Sequence, residues 1–144
     1  NELPRERMIL ALGAVAACEG MIERTIAYTQ ERQAFGQSIS KFQNTRFVLA
    51  DLHAQVQVNK AFCEQSIEQY DRGELSTTNA SIAKLTTTEL QGKVADQCLQ
   101  LFGGYGYMQE YPISRDFVDA RIQRIYGGTS EIMKEIIARD ILGR

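Results

Sequence analysis

Few residues of this sequence are suited to hold a metal ion or to form a disulfide framework. The 144 residues include one histidine, His53, and three cysteines, and no Cys-x-x-Cys pair occurs. Zinc sites draw most of their ligands from these two residue types, so we expect no metal site. The odd number and wide separation of Cys18, Cys63 and Cys98 predict buried, reduced thiols in an intracellular protein.

Long apolar runs and a charge of one sign are also missing. There is no apolar run of 18 residues and no signal peptide, so we expect no membrane span. The net charge of −2 favours neither nucleic acid nor an anionic membrane as a partner. The length fits one domain. Because the chain begins with Asn1 rather than methionine, we expect it to be a fragment of a longer protein.

Apolar residues recur at helical spacing along most of the chain, and no strand-like alternation occurs. We therefore expect an all-α fold, an antiparallel four-helix bundle with an additional short helix and no β-strand. The expected helices cover approximately residues 4–32, 40–73 with Ser40 as N-cap, 76–103, 114–125 and 130–142. The side chains expected in the core are Leu12, Leu52, Val56, Val94 and Ile132.

Several glycine-rich or charged features could carry chemistry, but each also has an ordinary structural explanation. The glycines of "GGYGY" suit a helix C-cap and turn as well as a cofactor contact. The threonine and serine of "GTSE" suit a helix cap as well as an anion site at a helix N-terminus. Arg32 can interact with a helix dipole or clamp a phosphate, and Glu6 is favoured in a first helical turn whatever its function.

Three separated segments together point to a family. In this order and at these spacings, "RQAFGQSISKFQ", "QLFGGYGYMQEYP" and "DARIQRIYGGTSEI" resemble the C-terminal helical domain of the acyl-CoA dehydrogenase flavoprotein family. The similarity covers essentially the whole chain, from "LPRER" to "IARDIL". The complete subunit of the family also has an N-terminal helical domain and a middle β-domain. The resemblance therefore implies that residues 1–144 are the C-terminal domain alone, without those two domains.

The resemblance also implies a site for FAD and a site for substrate. The residues implied to contact FAD are Arg32, Gln33, Phe35, Gln43, Gln100, Gly103, Gly104, Thr129 and Glu131. Arg32 is implied to reach the pyrophosphate of a flavin held by a neighbouring subunit, and the turn at residues 100–104 to meet its adenosine side. Tyr126 and Gly127 are implied to border the thioester of an acyl-CoA substrate.

The position of the catalytic base departs from the commoner pattern of the family. That pattern is "Tyr-Glu-Gly-Thr" with the glutamate as base, whereas this chain has "Tyr-Gly-Gly-Thr", so Gly127 replaces the base. In the long-chain and isovaleryl-type branches, the base is a glutamate directly before an arginine near the start of the domain. In "LPRERM" the matching residues are Glu6, implied as catalytic base, and Arg7, implied to bind substrate beside it. The N–H of Gly127 can still polarise the thioester carbonyl.

The activity implied by the resemblance is α,β-dehydrogenation of an acyl-CoA thioester with FAD, and with an electron-transfer flavoprotein as acceptor. A homotetramer in the bacterial cytoplasm or the mitochondrial matrix is expected. An acyl-CoA oxidase that passes electrons to oxygen is one alternative, and a non-catalytic helical oligomerisation module is another, although Glu6 counts against the module. Because the domain holds one wall of the flavin site, we expect the isolated chain to bind FAD weakly and to be inactive.

Overall fold

The computed structural model describes residues 2–143, which are mainly helical. The α-helices are α1 Leu3–Glu31, α2 Gln43–Asp71, α3 Thr77–Phe102, α4 Pro112–Ile122 and α5 Ser130–Leu142. The predicted all-α class is thus confirmed. Helix α4 ends at Ile122 rather than at Ile125, because a turn leads from it into two glycines with positive φ. Among residues 2–143, no helix has the length and apolar character needed to cross a membrane.

The expectation of a chain without strands is wrong at the connection between α1 and α2. Strand β1 (Gln33–Ala34) pairs antiparallel with strand β2 (Gln37–Ser38). The two residues between them, Phe35 and Gly36, have φ of 53° and 80°. Positive φ at both positions is typical of the type I′ turn that closes two-residue hairpins. Strands of two residues are too short to show an alternating pattern in the sequence.

The approach to α2 also differs from the prediction that Ser40 caps it. Ser38 is the capping residue instead, and its Oγ accepts from the backbone N of Ser40 at 3.3 Å at the start of the 3₁₀ helix Ile39–Lys41. Helix α2 begins only after Phe42, which offers no capping side chain. Ser38 Oγ also donates to the carbonyl of Thr29 at 2.8 Å, which attaches the hairpin to the last turn of α1.

The three long helices run up, down and up. Helix α2 is antiparallel to α3, since Asn79 at the start of α3 donates to Gln69 near the end of α2 at 3.0 Å, while Asp51 near the start of α2 pairs with Lys93 in the second half of α3. It is also antiparallel to α1, because the start of α1 and the end of α2 line one hollow together. Arg7 and Tyr28, near opposite ends of α1, reach Ser81 and Phe102, near opposite ends of α3. Helices α1 and α3 are therefore parallel, and their C-terminal ends lie side by side.

Helix α3 is the central element, because α1, α2, α4 and α5 all pack against it. Its burial extends to hydroxyl groups that a surface helix would expose. Thr87 and Thr88 are both buried, and their hydroxyls donate to the carbonyls of Ala83 and Lys84 at 2.7 Å. These bonds within the helix satisfy the hydroxyls and let polar side chains occupy the core.

The predicted core is correct for three residues and wrong for two. Leu52, Val56 and Val94 are buried, but Leu12 is 39% exposed and Ile132 is 51% exposed. Seven of the ten residues that α1 buries are spaced alternately by three and four residues: Met8, Ala11, Val15, Cys18, Ile22, Thr25 and Thr29. This stripe includes small and polar residues, which allow α1 to lie close to α3, and it leaves Leu12 outside.

The three cysteines are free and buried, as predicted. Burial raises the pKa of the Cys18 thiol to about 12 and that of the Cys63 thiol to about 11. Thiols in this state stay protonated at neutral pH and are poor nucleophiles.

Candidate functional site

The parallel α1 and α3 form a groove where their C-terminal ends meet. This α1–α3 groove has a volume of about 500 Å³ and is lined in part by Arg32, Gln100, Gly103, Gly104 and Tyr105. Arg32 follows the last residue of α1, and its guanidinium carbon lies 5.5 Å from the centre of the Tyr105 ring. The structure thus brings a cation and a glycine turn, which are far apart in the sequence, to one surface.

The glycines near the groove differ in what they make room for. Gly106 is required by packing, since a Cβ there would lie 2.6 Å from the carbonyl oxygen of Leu99. Gly103 has a φ of 60°, which favours glycine at the helix end. Gly104 has neither reason, because no described atom lies within 4 Å of its Cβ position and it lines the groove. The groove therefore keeps open space beside a cation, which fits the phosphate-bearing part of a dinucleotide.

Three other residues implied to contact FAD lie outside the groove lining. Gln33 and Phe35 belong to the β-hairpin, and Gln43 is the first residue of α2. Phe35 is 96% exposed at the tip of the turn, and its ring makes one edge contact with Phe42, at 6.2 Å between ring centres. The exposed ring of Phe35 is therefore available to contact a ligand or another chain.

Residues 124–130, called the glycine loop below, connect α4 to α5. Gly127 and Gly128 have φ of 67° and 101°. The loop closes through a hydrogen bond from the backbone N of Ser130 to the carbonyl of Arg124 at 3.1 Å. Thr129 caps α5, because its hydroxyl accepts from the backbone N of Ile132 at 3.3 Å. The cap gives Thr129 a structural role at the start of α5. Its contact with flavin stays a separate prediction.

The glycine loop lies against the N-terminal part of α1, where Glu6 is exposed in the first turn. A Cβ at Gly127 would lie 2.5 Å from Cδ1 of Leu10 and 4.0 Å from Cε of Lys84. Glu6 precedes Leu10 by four residues, and such side chains are neighbours on one face of a helix, with Cβ atoms about 6 Å apart. Glu6 therefore lies one helical turn along α1 from Leu10, the residue whose side chain packs against Gly127.

Arg7 does not share the exposure of Glu6. Its side chain is buried and donates to Ser81 Oγ of α3 at 3.4 Å, and within residues 2–143 its Nε has no partner. Lys84, fully buried beside it, donates to the carbonyl of Gly128 at 2.5 Å. Burial and the Arg7 charge lower the pKa of Lys84, and the charge of Glu89 opposes them. Two buried cations thus lie behind the glycine loop.

Lys84 and Glu89, two residues of α3 whose side chains form hydrogen bonds with the loop, were not among the residues predicted from the sequence. A lysine within the buried stripe of a helix was the available signal, since lysine is almost never fully buried without a partner. Glu89 carried no comparable signal, because a glutamate every few residues is ordinary on a helix surface.

The fold is a helical domain with the α1–α3 groove beside Arg32 where the two helices end, and with the glycine loop against the N-terminal part of α1. The family model described as "Acyl-CoA dehydrogenase, C-terminal domain" matches residues 1–142. The chain belongs to this family.

Individual relatives agree with this assignment. The chain is 48% identical, over 99% of its length, to the long-chain specific mitochondrial acyl-CoA dehydrogenase of Rattus norvegicus. It superposes with a TM-score of 0.96 and 40% identity on an acyl-CoA dehydrogenase from Geobacillus kaustophilus, covering 98% of this chain and 37% of that one. A glutaryl-CoA dehydrogenase from Mycobacterium smegmatis in complex with FADH2 matches 99% of this chain and 37% of that one, with a TM-score of 0.95 and 27% identity. The chain spans 33% of the length of the rat relative.

Proposed function

We propose that this chain is the C-terminal domain of an FAD-dependent acyl-CoA dehydrogenase that introduces a double bond between the α- and β-carbons of an acyl-CoA thioester. The observation that carries the proposal is the position of Glu6, one helical turn from the Leu10 side chain that packs against Gly127. In the complete protein, an N-terminal helical domain and a middle β-domain precede this one.

In this mechanism the carboxylate of Glu6 accepts the proton of the α-carbon. The electron pair of that C–H bond forms the new double bond while the β-hydrogen departs as a hydride. Bound FAD would supply the hydride acceptor. The N–H of Gly127 donates to the thioester carbonyl, where negative charge develops as the proton leaves. Arg7 would act on the substrate through its positive charge, because its side chain is buried against α3 rather than exposed to the ligand.

The α1–α3 groove would hold the phosphate and adenosine part of FAD. Arg32 supplies the cation for the pyrophosphate, and Gln100 and Gly104 border the adenosine side. On the hairpin and at the start of α2, Gln33, Phe35 and Gln43 would contact the same cofactor. As the resemblance to the family implies, Arg32 would reach the pyrophosphate of a flavin held by a neighbouring subunit.

At the glycine loop, Thr129 and Glu131 would contact flavin. A flavin held by a neighbouring subunit requires self-association, and we propose a homotetramer. The proposed electron acceptor is an electron-transfer flavoprotein, and the proposed location is the bacterial cytoplasm or the mitochondrial matrix. The 144-residue chain alone would bind FAD weakly and be inactive.

The proposal is tested by mixing the full-length protein anaerobically with acyl-CoA substrates of increasing chain length. We expect the visible absorbance of the flavin to be lost and mass spectrometry to find a product lacking two hydrogens. Absence of flavin reduction with every acyl-CoA, in protein that contains FAD, would contradict the proposal. Rapid oxygen uptake in the absence of an electron-transfer flavoprotein would identify an oxidase instead.

A further inference from the structure

One carboxylate on α3 connects the two ends of the glycine loop. Oε2 of Glu89 accepts from Nη1 of Arg124 at 3.1 Å, and Oε1 accepts from the hydroxyl of Ser130 at 2.7 Å. Arg124 and Ser130 are the first and last residues of the loop, and the backbone hydrogen bond between them closes it. Glu89 therefore holds both ends of the loop against the central helix.

The middle of the loop is attached to the same helix. Lys84, five residues before Glu89 on α3, donates to the carbonyl of Gly128 at 2.5 Å. The loop therefore has contacts with α3 at its start, its middle and its end.

The charges around Glu89 favour its ionised form. Burial alone raises the pKa of this carboxyl, but hydrogen bonds from Ser130 and Arg124, and the positive charges of Arg124 and Lys134, lower it below its usual value. An ionised carboxylate accepts from both partners at once, and charge-assisted hydrogen bonds are roughly twice as strong as neutral ones. The hydrogen bonds from Arg124 and Ser130 to Glu89 are therefore maintained at neutral pH.

The loop needs such external attachment. Two consecutive glycines have the widest conformational freedom of any backbone, and the N–H of Gly127 is useful in catalysis only when its direction is fixed. We propose that Glu89 is a positioning residue that, together with Lys84, fixes the glycine loop in the orientation that polarises the thioester carbonyl. This inference rests on the proposed function only for its consequence in catalysis, since the fixing of the loop can be measured independently.

The test compares Glu89→Gln with Glu19→Gln in the full-length protein. The glutamine can still accept from Ser130, but its amide places a donor opposite the Arg124 guanidinium. Glu19 is the matched control, because its side chain is also 41% exposed and forms an ion pair between helices, with Lys60 at 3.2 Å, away from the loop.

The first readout is hydrogen exchange, which needs no activity. We expect peptides covering the glycine loop to exchange at least about tenfold faster in Glu89→Gln, with α5 beyond its first turn unchanged. The Glu19→Gln protein should match wild type there. Unchanged exchange of the loop in Glu89→Gln, or equal acceleration throughout α4 and α5, would overturn the proposal.

The second readout is anaerobic flavin reduction by acyl-CoA. In Glu89→Gln we expect the saturating rate constant to fall about 10- to 100-fold, with a smaller change in substrate affinity, because misdirected donors act mainly on the transition state. Glu89→Asp, which keeps the charge, should recover part of the rate, and Ser130→Ala, which removes the other contact, should also slow reduction. A normal rate in Glu89→Gln refutes the positioning role. A wild-type protein that never reduces its flavin refutes the proposed function instead, and the hydrogen-exchange result then decides whether Glu89 fixes the loop.

Discussion

Replacing Gly127 with alanine gives a stability change that can be worked out from the structure. An alanine must adopt the φ of 67°, and the left-handed conformation costs a residue with a Cβ roughly 1–2 kcal/mol. The new methyl would also lie 2.5 Å from Cδ1 of Leu10, so that side chain must rotate, which costs on the order of 0.5–1.5 kcal/mol. We therefore expect Gly127→Ala to lower the free energy of unfolding by about 1.5–3.5 kcal/mol.

Denaturant unfolding of the 144-residue chain measures this change, provided that the m-value is unaffected. In a Leu10→Ala background the side-chain term disappears, and the cost of Gly127→Ala should fall to roughly the 1–2 kcal/mol of the backbone. Gly13 is the control, because it lies within α1 with open space around its Cβ position. Gly13→Ala should stabilise the chain by roughly 0.5–1 kcal/mol. A cost at Gly127 no larger than the change at Gly13, or one unaffected by Leu10→Ala, would refute the reasoning.

Three further predictions concern the core, the thiols and a helix cap. Leu52→Ala should lower the free energy of unfolding by about 2–5 kcal/mol, whereas Val58→Ala, at a side chain 70% exposed, should change it by less than about 0.5 kcal/mol. Because burial raises the pKa of Cys18 and Cys63, alkylation followed by peptide mass spectrometry should label neither in the folded protein and both after unfolding; rapid native labelling would contradict this. Ser76→Ala removes the hydroxyl that accepts from the first turn of α3 at 3.0 Å and should cost about 0.5–2 kcal/mol on denaturation, and no loss would show that the cap is dispensable.

The helices were predictable because their signals are local. Pro4 at the start of α1, Ser76 as the cap of α3 and the glycines after α2 and α3 each act within one turn of chain. The face that a helix buries is not local. Apolar spacing selected Leu12, while the packing of α1 on α3 buries Ala11 and Cys18 instead, because small residues permit close approach of two helices.

The candidate site was predictable to the extent that motifs of the family carry it. The structure brings Arg32 together with Gln100 and Gly104 at one groove, because parallel helices align their C-terminal ends, and their contacts with FAD stay predictions. The contacts behind the loop were not predictable. Lys84 and Glu89 are separated from the glycine loop by more than thirty residues, and only the packing of the helices brings them to it.

The most direct test of the account is the half-reaction of the full-length protein carrying Glu6→Gln. Glutamine keeps the size of the side chain but cannot accept the α-proton, and loss of a general base typically slows the chemical step by about 100- to 10,000-fold. We expect flavin content to be unchanged and flavin reduction by acyl-CoA to fall within that range. Adding Gly127→Glu should restore part of the activity, limited by the strained φ and by Leu10, and Gly127→Glu alone should impair the enzyme because two carboxylates then share one site.

Stopped-flow measurement of flavin reduction under anaerobic conditions compares wild type, Glu6→Gln and the double variant directly. The predicted order of rate constants is wild type highest, the double variant intermediate and Glu6→Gln lowest. A Glu6→Gln protein that reduces its flavin at nearly the wild-type rate would show that Glu6 is not the base, whatever the double variant does.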